Sequence, residues 1–306
     1  MNVIITGASG FIGSRIAQQL RRHDIHVIAL TRDVERAKPA LPGVELVHAE
    51  LEQPGRWCER INGVDAIINL AGEPIAGKRW DAHYKQLLRD SRVETTRILV
   101  EAIAACAHPP RVLISASGVD YYPFAMELDD FADDEVTEAD PPGDHFLAKL
   151  CRSWEDEAFR AKATGVRVCA MRTGLVLGHG GALKKMATPF QWFVGGRLGS
   201  GRQWMSWIYI DDVVTAYTSA VSDERYTGPV NLVAGSIHNA DFARALGKAL
   251  HRPSWIPVPA IALRSAVGEF ADVLLAGRRV VPKRLQELGF SYSHASLDKS
   301  LGSAFA

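Results

Sequence analysis

Eight residues near the N-terminus, Thr6-Gly7-Ala8-Ser9-Gly10-Phe11-Ile12-Gly13, constrain this chain more than any other feature. They follow a short apolar run, Asn2–Thr6, and open a stretch with helical spacing that continues to Arg22. A glycine trio placed between a strand and a helix is the turn that cradles a dinucleotide pyrophosphate. The first glycine permits the tight turn, and the second lets the backbone approach the phosphates. The third allows close packing of helix on strand. Free N–H groups at the helix start, with the positive end of its dipole, would face the anion. Gly7, Ser9, Gly10, Phe11, Ile12 and Gly13 are therefore expected at the cofactor. The spacing is GxxGxxG rather than GxGxxG.

The rest of the first half repeats the same unit. Runs at 25–30 (IHVIAL), 44–48 (VELVH), 66–70 (AIINL) and 112–115 (VLIS) are rich in Val, Ile and Leu and bounded by Gly, Pro or Asp. Runs apolar on both faces suit a parallel sheet covered on each side. Helical spacing between them, from 81 to 107 and from 143 to 162, implies βαβ units. Further strands are expected at 166–171, 207–210 and 229–232. The fold class is α/β: a doubly wound parallel Rossmann sheet with a smaller, interleaved C-terminal substrate lobe. The sheet domain is assigned 1–173 plus 206–235, and the lobe 174–205 plus 236–306, where Gly and Pro interrupt the pattern.

Cofactor choice is read at the end of the second strand, where an acid binds a ribose 2′-hydroxyl and a cation accommodates a 2′-phosphate. Leu30-Thr31-Arg32-Asp33 puts Thr31 and Arg32 there, with Arg36 a turn further on. The forked donors of Arg suit a phosphate, so NADP(H) is expected over NAD(H). Two alternatives stay open: a plain surface arginine, or Asp33 on the hydroxyl. After the fourth strand, Leu70, Ala71, Gly72 and Glu73 are expected to lie against the nucleotide.

Composition excludes little but removes some classes. Lys plus Arg and Asp plus Glu both number 35, so no net field recruits nucleic acid or an anionic membrane. Neither is expected as a partner. The four cysteines lack ligand spacing and read as reduced thiols. His23 and His26 form HxxH across a turn, which is a poor metal site, and no metal is expected. With no basic leader and no apolar run of about 18 residues, the expected location is cytoplasmic.

These segments in this order (TGASGFIG, NLAG at 69–72, SAS at 115–117, Lys149, RTGLVLG at 172–178 and WIYIDDVV at 207–214) resemble the extended and atypical short-chain dehydrogenase/reductases. AGEPIAGKRW (71–80) and PKRLQELGF (282–290) narrow the likeness to epimerase family proteins of mostly unassigned activity. The resemblance implies that Ser117 orients substrate and that Lys149 binds the nicotinamide ribose. It also places Arg172 and Gly174 at the cofactor. In that family a Tyr stands four residues before the Lys; here it is His145.

A His starts near the working pH and is a competent acid/base, and i, i+4 spacing puts it on the face of Lys149. It equally suits the helix cap. Tyr121 and Tyr122, just after Ser117, are the other candidate proton donors, or pocket walls. Glu73, Lys78, Arg79 and Trp80 read as substrate contacts or a solvated loop. Arg197, Arg202, Trp204 and Trp207 read as a phosphate and base site or as loop packing. Asp211 and Asp212 read as N-cap and first-turn acids. Two functions follow: an NADP(H)-dependent oxidoreductase or epimerase on a small hydroxyl or carbonyl substrate, or a non-catalytic NADP(H)-responsive protein. The sequence leaves substrate and oligomeric state open.

Overall fold

The computed structural model describes residues 1–124 and 133–306. Its strands are β1 (Asn2–Thr6), β2 (His26–Thr31), β3 (Glu45–His48), β4 (Ala66–Asn69), β5 (Val112–Gly118), β6 (Glu135–Val136), β7 (Arg167–Thr173), β8 (Leu175–Leu177), β9 (Trp204–Tyr209), β10 (Gly228–Leu232), β11 (Gly235–His238) and β12 (Arg279–Val280). Seven of them form one sheet in the order β3-β2-β1-β4-β5-β7-β10, with every pair parallel. The winding reverses between β1 and β4, and a crevice opens there beyond the carboxyl ends of the strands.

The double-sided apolar runs now have a cause. Val3 and Ile5 of β1 face a core shared with Ile16 and Leu20 of the Phe11–Arg22 helix and Val213 and Tyr217 of the Ile210–Ser222 helix. Ile4, one residue out of phase, faces the opposite core with Ile67, Leu113, Ile98 and Ala158. Each such side chain is fully buried or nearly so, and burial contributes about 1.5–3 kcal/mol apiece for the larger ones.

Two expectations change. The helical stretch at 81–107 is two helices, Ala82–Asp90 and Val93–Ala104. The break falls where Arg92 turns its guanidinium inward onto the carbonyls of Leu88 (3.1 Å) and Glu73 (2.8 Å). The strand at 207–210 belongs to β9, which lies outside the main sheet. It pairs parallel with β8 and antiparallel with β11 in a separate three-stranded sheet. β6 and β12 pair separately and bring the C-terminal segment against the loop after β5.

Asp211 and Asp212 stand in the first turn of the Ile210–Ser222 helix, whose N-cap is Tyr209. Asp212 is buried and accepts from the Ser293 N–H (2.7 Å), the Ser293 hydroxyl (2.7 Å) and the His294 N–H (3.2 Å), which clips the C-terminal tail to the sheet domain.

Candidate functional site

The glycine turn packs on neighbouring backbone so closely that no side chain fits there. Gly7 sits at φ +67°, and a Cβ there would come within 2.6 Å of the Leu70 carbonyl oxygen. A Cβ on Gly13 would press on the Gly7 carbonyl and on Ala8 Cα (2.8 Å). Gly10 is the helix N-cap with no side chain to offer, so the N–H groups of Phe11, Ile12 and Gly13 point outward without intrahelical partners. Ser9 is exposed beside them. Phe11 is seated by a second glycine run, because Gly178, Gly180 and Gly181 pack directly on its ring.

Thr6 fixes the far wall of the crevice. Its buried hydroxyl donates to Asn69 Oδ1 (2.7 Å) and accepts from the N–H groups of Leu70 and Ala71 (3.1 Å each). Asn69 in turn donates to Thr96 Oγ1 at 2.8 Å. The Leu70–Gly72 backbone is thus held beside Gly7. Gly72 lies against the Arg92 guanidinium, and the Glu73 N–H donates to Ser91 Oγ at 3.0 Å. Arg92 is a strut of this wall that sequence reading did not single out. Only its buried setting marks it.

At the end of β2, Asp33 caps the short Val34–Ala37 helix by accepting from the Arg36 N–H at 3.0 Å. That carboxylate is turned into the cap. Thr31 closes the turn through its hydroxyl on the Asp33 backbone. Arg32 and Arg36 are exposed at the rim, with Arg32 4.0 Å from Glu52.

The residues after β5 form a buried polar chain rather than an open constellation. Ser117 donates to Glu155 Oε1 at 2.6 Å. Glu155 receives Arg172 through Nε (2.9 Å) and Nη2 (2.8 Å), and all three residues are almost fully buried. Arg172 Nη1 donates to the Tyr122 hydroxyl (3.0 Å), which donates to Asn231 Oδ1 (2.7 Å). The Tyr121 ring lies 3.4 Å from the Arg172 guanidinium carbon. Burial works against the Arg172 charge, but the Glu155 hydrogen bonds and charge outweigh it and raise the pKa. Burial pushes the Tyr122 phenol up to about 12. Arg172, expected at the cofactor, therefore has its guanidinium committed inside the protein, and Tyr122 has its hydroxyl committed likewise.

His145 caps the Phe146–Phe159 helix. Its Nδ1 accepts from the Ala148 N–H (3.3 Å), its Nε2 lies 3.0 Å from the Tyr122 carbonyl, and its ring stacks on Phe124. Those partners require Nδ1 bare and Nε2 protonated, which is the neutral imidazole. Burial lowers its pKa, against the raising effect of the Tyr122 carbonyl. Lys149, one turn on, is exposed at the same helix end. Gly174 follows β7 where a Cβ would meet the Ser206 carbonyl oxygen at 2.6 Å.

Asp120 was not anticipated. It lies in the short turn after Ser117, partly buried beside Gly118 and Cys151, and desolvation raises its carboxyl to about 6. The adjacent Cys151 thiol is pushed up to about 12, mainly by burial and then by Asp120 and Glu155. No motif carries Asp120; only the folded environment singles it out.

The loop at 73–80 follows β4 and packs on the helices beside it. Trp80 packs on Phe146 and Phe270, and the Gly268 backbone lies against Arg79. Lys78 and Arg79 are exposed. Trp207 is buried against Gly235, and Trp204 packs on His238 with the rings tilted by 34°, with the Arg279 guanidinium carbon 5.4 Å from its ring centroid. Arg197 and Arg202 stand exposed nearby.

The glycine cradle, the walled crevice and the strand order define a dinucleotide-binding protein of the short-chain dehydrogenase/reductase class. The chain belongs to the NAD dependent epimerase/dehydratase family, whose model matches residues 3–233, while residues 258–304 match a domain of unknown function. It is 38% identical over 305 residues to an epimerase family protein homolog of Arabidopsis thaliana named as chloroplastic, covering 98% of this chain and 86% of that one. A crystal structure of human epimerase family protein SDR39U1 with NADPH superposes with TM-score 0.87 at 33% identity, covering 100% of this chain and 99% of that one. UDP-glucuronic acid 4-epimerase from Bacillus cereus, solved with NAD, shares the fold at TM-score 0.77 and 17% identity, over 100% and 96% of the two chains. Among the described residues no helix is long and apolar enough to cross a membrane.

Proposed function

We propose that this protein binds NADP(H) across the crevice and acts as an oxidoreductase or epimerase on a small hydroxyl- or carbonyl-bearing substrate. The observation that carries the cofactor assignment is at the end of β2. Asp33 is turned into its own helix cap, so the acid that would select a ribose hydroxyl is engaged. Arg32 and Arg36 remain at the rim as forked donors for a 2′-phosphate. The NADPH-bound human relative supports the same preference.

The residues present fit such a cofactor. Gly7, Gly10 and Gly13 let the turn close tightly on its own backbone, which leaves the N–H groups at the helix start as donors for a pyrophosphate. When bound, the nicotinamide supplies hydride transfer. Lys149 would hold the nicotinamide ribose, as the family resemblance implies, and Gly174 lets the end of β7 pack closely on β9 at Ser206. Ser117 acts with Glu155 and Arg172 to fix the end of β5. We assign the proton to Asp120, which lies in the turn directly after β5 and Ser117 and whose carboxyl, raised to about 6 by desolvation, can be either acid or base close to neutral pH.

A second reading, a cofactor-responsive protein without catalysis, is favoured by one observation. Ser117, Tyr122 and His145 all spend their polar atoms on internal partners. Fluorescence titration with NADPH and NADH, followed by an NADPH-oxidation screen against carbonyl compounds, separates the two. Turnover with hydride passing from NADPH to a product carbon upholds an oxidoreductase, and interconversion of hydroxyl epimers with no net cofactor oxidation upholds an epimerase; tight binding with neither upholds the second reading. Arg32→Ala is expected to weaken NADPH by tenfold or more and NADH by less than threefold, as for losing about 1.5–3 kcal/mol of charge-assisted bonding. Equal losses would defeat the 2′-phosphate assignment.

A further inference from the structure

Eight large apolar side chains stand exposed among the described residues, and six of them lie on two adjoining segments. Trp192, Phe193 and Val194 end the Gly181–Gln191 helix, while Trp255, Ile256 and Ile261 lead into the Ala260–Val267 helix. The segments are stitched side by side. The Val258 N–H donates to the Arg197 carbonyl (2.8 Å), and the Gly199 N–H donates to the Val258 carbonyl (2.9 Å). Leu198 and Val258 form a parallel bridge.

The two tryptophans are each 75% exposed. With their neighbours they present on the order of 600 Å² of apolar surface, at the top of what a monomer ordinarily shows. Phe193 takes φ +62°, a backbone setting that glycine ordinarily fills at a helix end, and its ring stays outward.

Charge is segregated onto the same ledge. The chain as a whole is neutral, yet residues 181–202 and 251–268 contain no Asp or Glu and six cations: Lys184, Lys185, Arg197, Arg202, Arg252 and Arg264. All six are exposed. Arg252 sits 4.7 Å over the Phe193 ring, and Lys185, Thr188 and Trp192 share one helical stripe. Arg264 is paired with Asp272; the Lys185 ammonium rests on the Ala76 carbonyl and keeps its charge.

Exposed tryptophans among lysines and arginines match the chemistry of an anionic lipid interface, where indoles lie at headgroup depth and cations meet the negative surface. A two-fold contact between copies would set this patch against itself. It would bring cations onto cations, which is unfavourable. We propose that this ledge is a peripheral docking surface for an anionic phospholipid bilayer, entered by Trp192 and Trp255 and held by the surrounding cations. The whole-chain charge balance led to the expectation of no membrane partner, because it averages this ledge with acids elsewhere.

The test is vesicle co-sedimentation of the full chain, with phosphatidylcholine vesicles and with vesicles carrying about 30% phosphatidylserine. Binding should favour the anionic vesicles by more than tenfold, with a blue shift of tryptophan emission. Raising salt from 0.1 M to 1 M shortens the screening length from roughly 10 Å to 3 Å and should release most of the protein. Trp192→Ser with Trp255→Ser, and separately Lys184→Glu with Arg252→Glu, should each cut binding at least tenfold. NADPH affinity and melting temperature, unchanged in both, show that the variants are folded.

Failure to sediment with anionic vesicles would overturn the proposal. So would equal binding to both vesicle types that the charge reversals leave untouched. Concentration-dependent self-association, seen by sedimentation and abolished by the tryptophan changes, would assign the ledge to a second copy instead. None of these outcomes bears on the cofactor assignment, which the NADPH titration tests separately.

Discussion

Replacing Glu155 by Ala tests whether the buried chain behind Ser117 is held together by charge. Glu155 accepts three bonds, from Ser117 Oγ at 2.6 Å and from Arg172 Nε and Nη2 at 2.9 and 2.8 Å. Both members of the ion pair have side chains only 4% exposed, so water cannot take the place of the lost carboxylate. Removing one partner of such a pair costs about 3–5 kcal/mol, because the other is left charged in a poor solvent. Against a total of about 5–15 kcal/mol, that is a large share of the stability. At roughly 2 °C per kcal/mol for a chain of this length, the melting temperature should fall by about 6–10 °C. Urea unfolding at pH 7.5 gives the same quantity as a shift in midpoint.

The double variant Glu155→Met with Arg172→Met removes both charges and keeps apolar volume. It should recover more than half of the single-variant loss. If Glu155→Ala costs under 1 kcal/mol, or if the double variant is as unstable as the summed single changes, the charge argument is wrong.

His145 predicts a pH dependence. Burial lowers its pKa in the folded chain, while the unfolded value is about 6.5. The unfolded state therefore takes the proton first, and stability should be full above about pH 6.5 and decline as the pH falls below it. His145→Asn, a good cap without a titrating ring, should stay within about 1 kcal/mol of wild type at pH 7.5 and lose less on acidification. His145→Ala should cost about 1–2 kcal/mol at any pH above 6.5; urea midpoints between pH 5 and 8 check all three. Gly13→Ala puts a Cβ against the Gly7 carbonyl and Ala8 Cα, which backbone cannot yield. It should cost about 1–3 kcal/mol and weaken NADPH at least tenfold by fluorescence titration, and wild-type affinity would refute the cradle geometry.

The parallel sheet was legible because its signal is local. β1, β2, β4 and β5 are each short β-branched or leucine-rich runs, apolar on both faces, and the glycine turn is chain-contiguous. What could not be read depends on residues far apart in the chain. The 81–107 stretch breaks next to Arg92, whose guanidinium donates to the carbonyl of Glu73, nineteen positions earlier. β9 leaves the main sheet because β8 and β11 give it partners whose patterns are too short to recognise alone. Arg172 carries the family's motif, yet Glu155 and Tyr122 take its donors. The motif therefore locates the residue without saying which way its charge faces.

Asp120 shows what such long-range placement makes possible, and it can be tested without knowing the substrate. Desolvation raises its carboxyl from 3.8 to about 6, against a single backbone hydrogen bond that lowers it. About two pKa units correspond to roughly 3 kcal/mol. The residue as a whole is only partly buried, and the smaller desolvation this implies reduces the figure to about 1–2 kcal/mol. The folded state holds the proton more tightly than the unfolded state, so the penalty appears as pH rises from about 4 to about 6 and is constant above. Asp120→Asn removes the ionisable group. It should be more stable than wild type by about 1–2 kcal/mol at pH 7.5 and equal to it near pH 4, by urea unfolding. A carboxyl of raised pKa in the turn after β5 suits the proton transfer assigned to it, so the same variant should lose any NADPH-linked turnover at least a hundredfold while keeping NADPH affinity. Equal stability at pH 7.5 would mean that the carboxylate is already solvated there, and the reason for assigning it the proton would be gone.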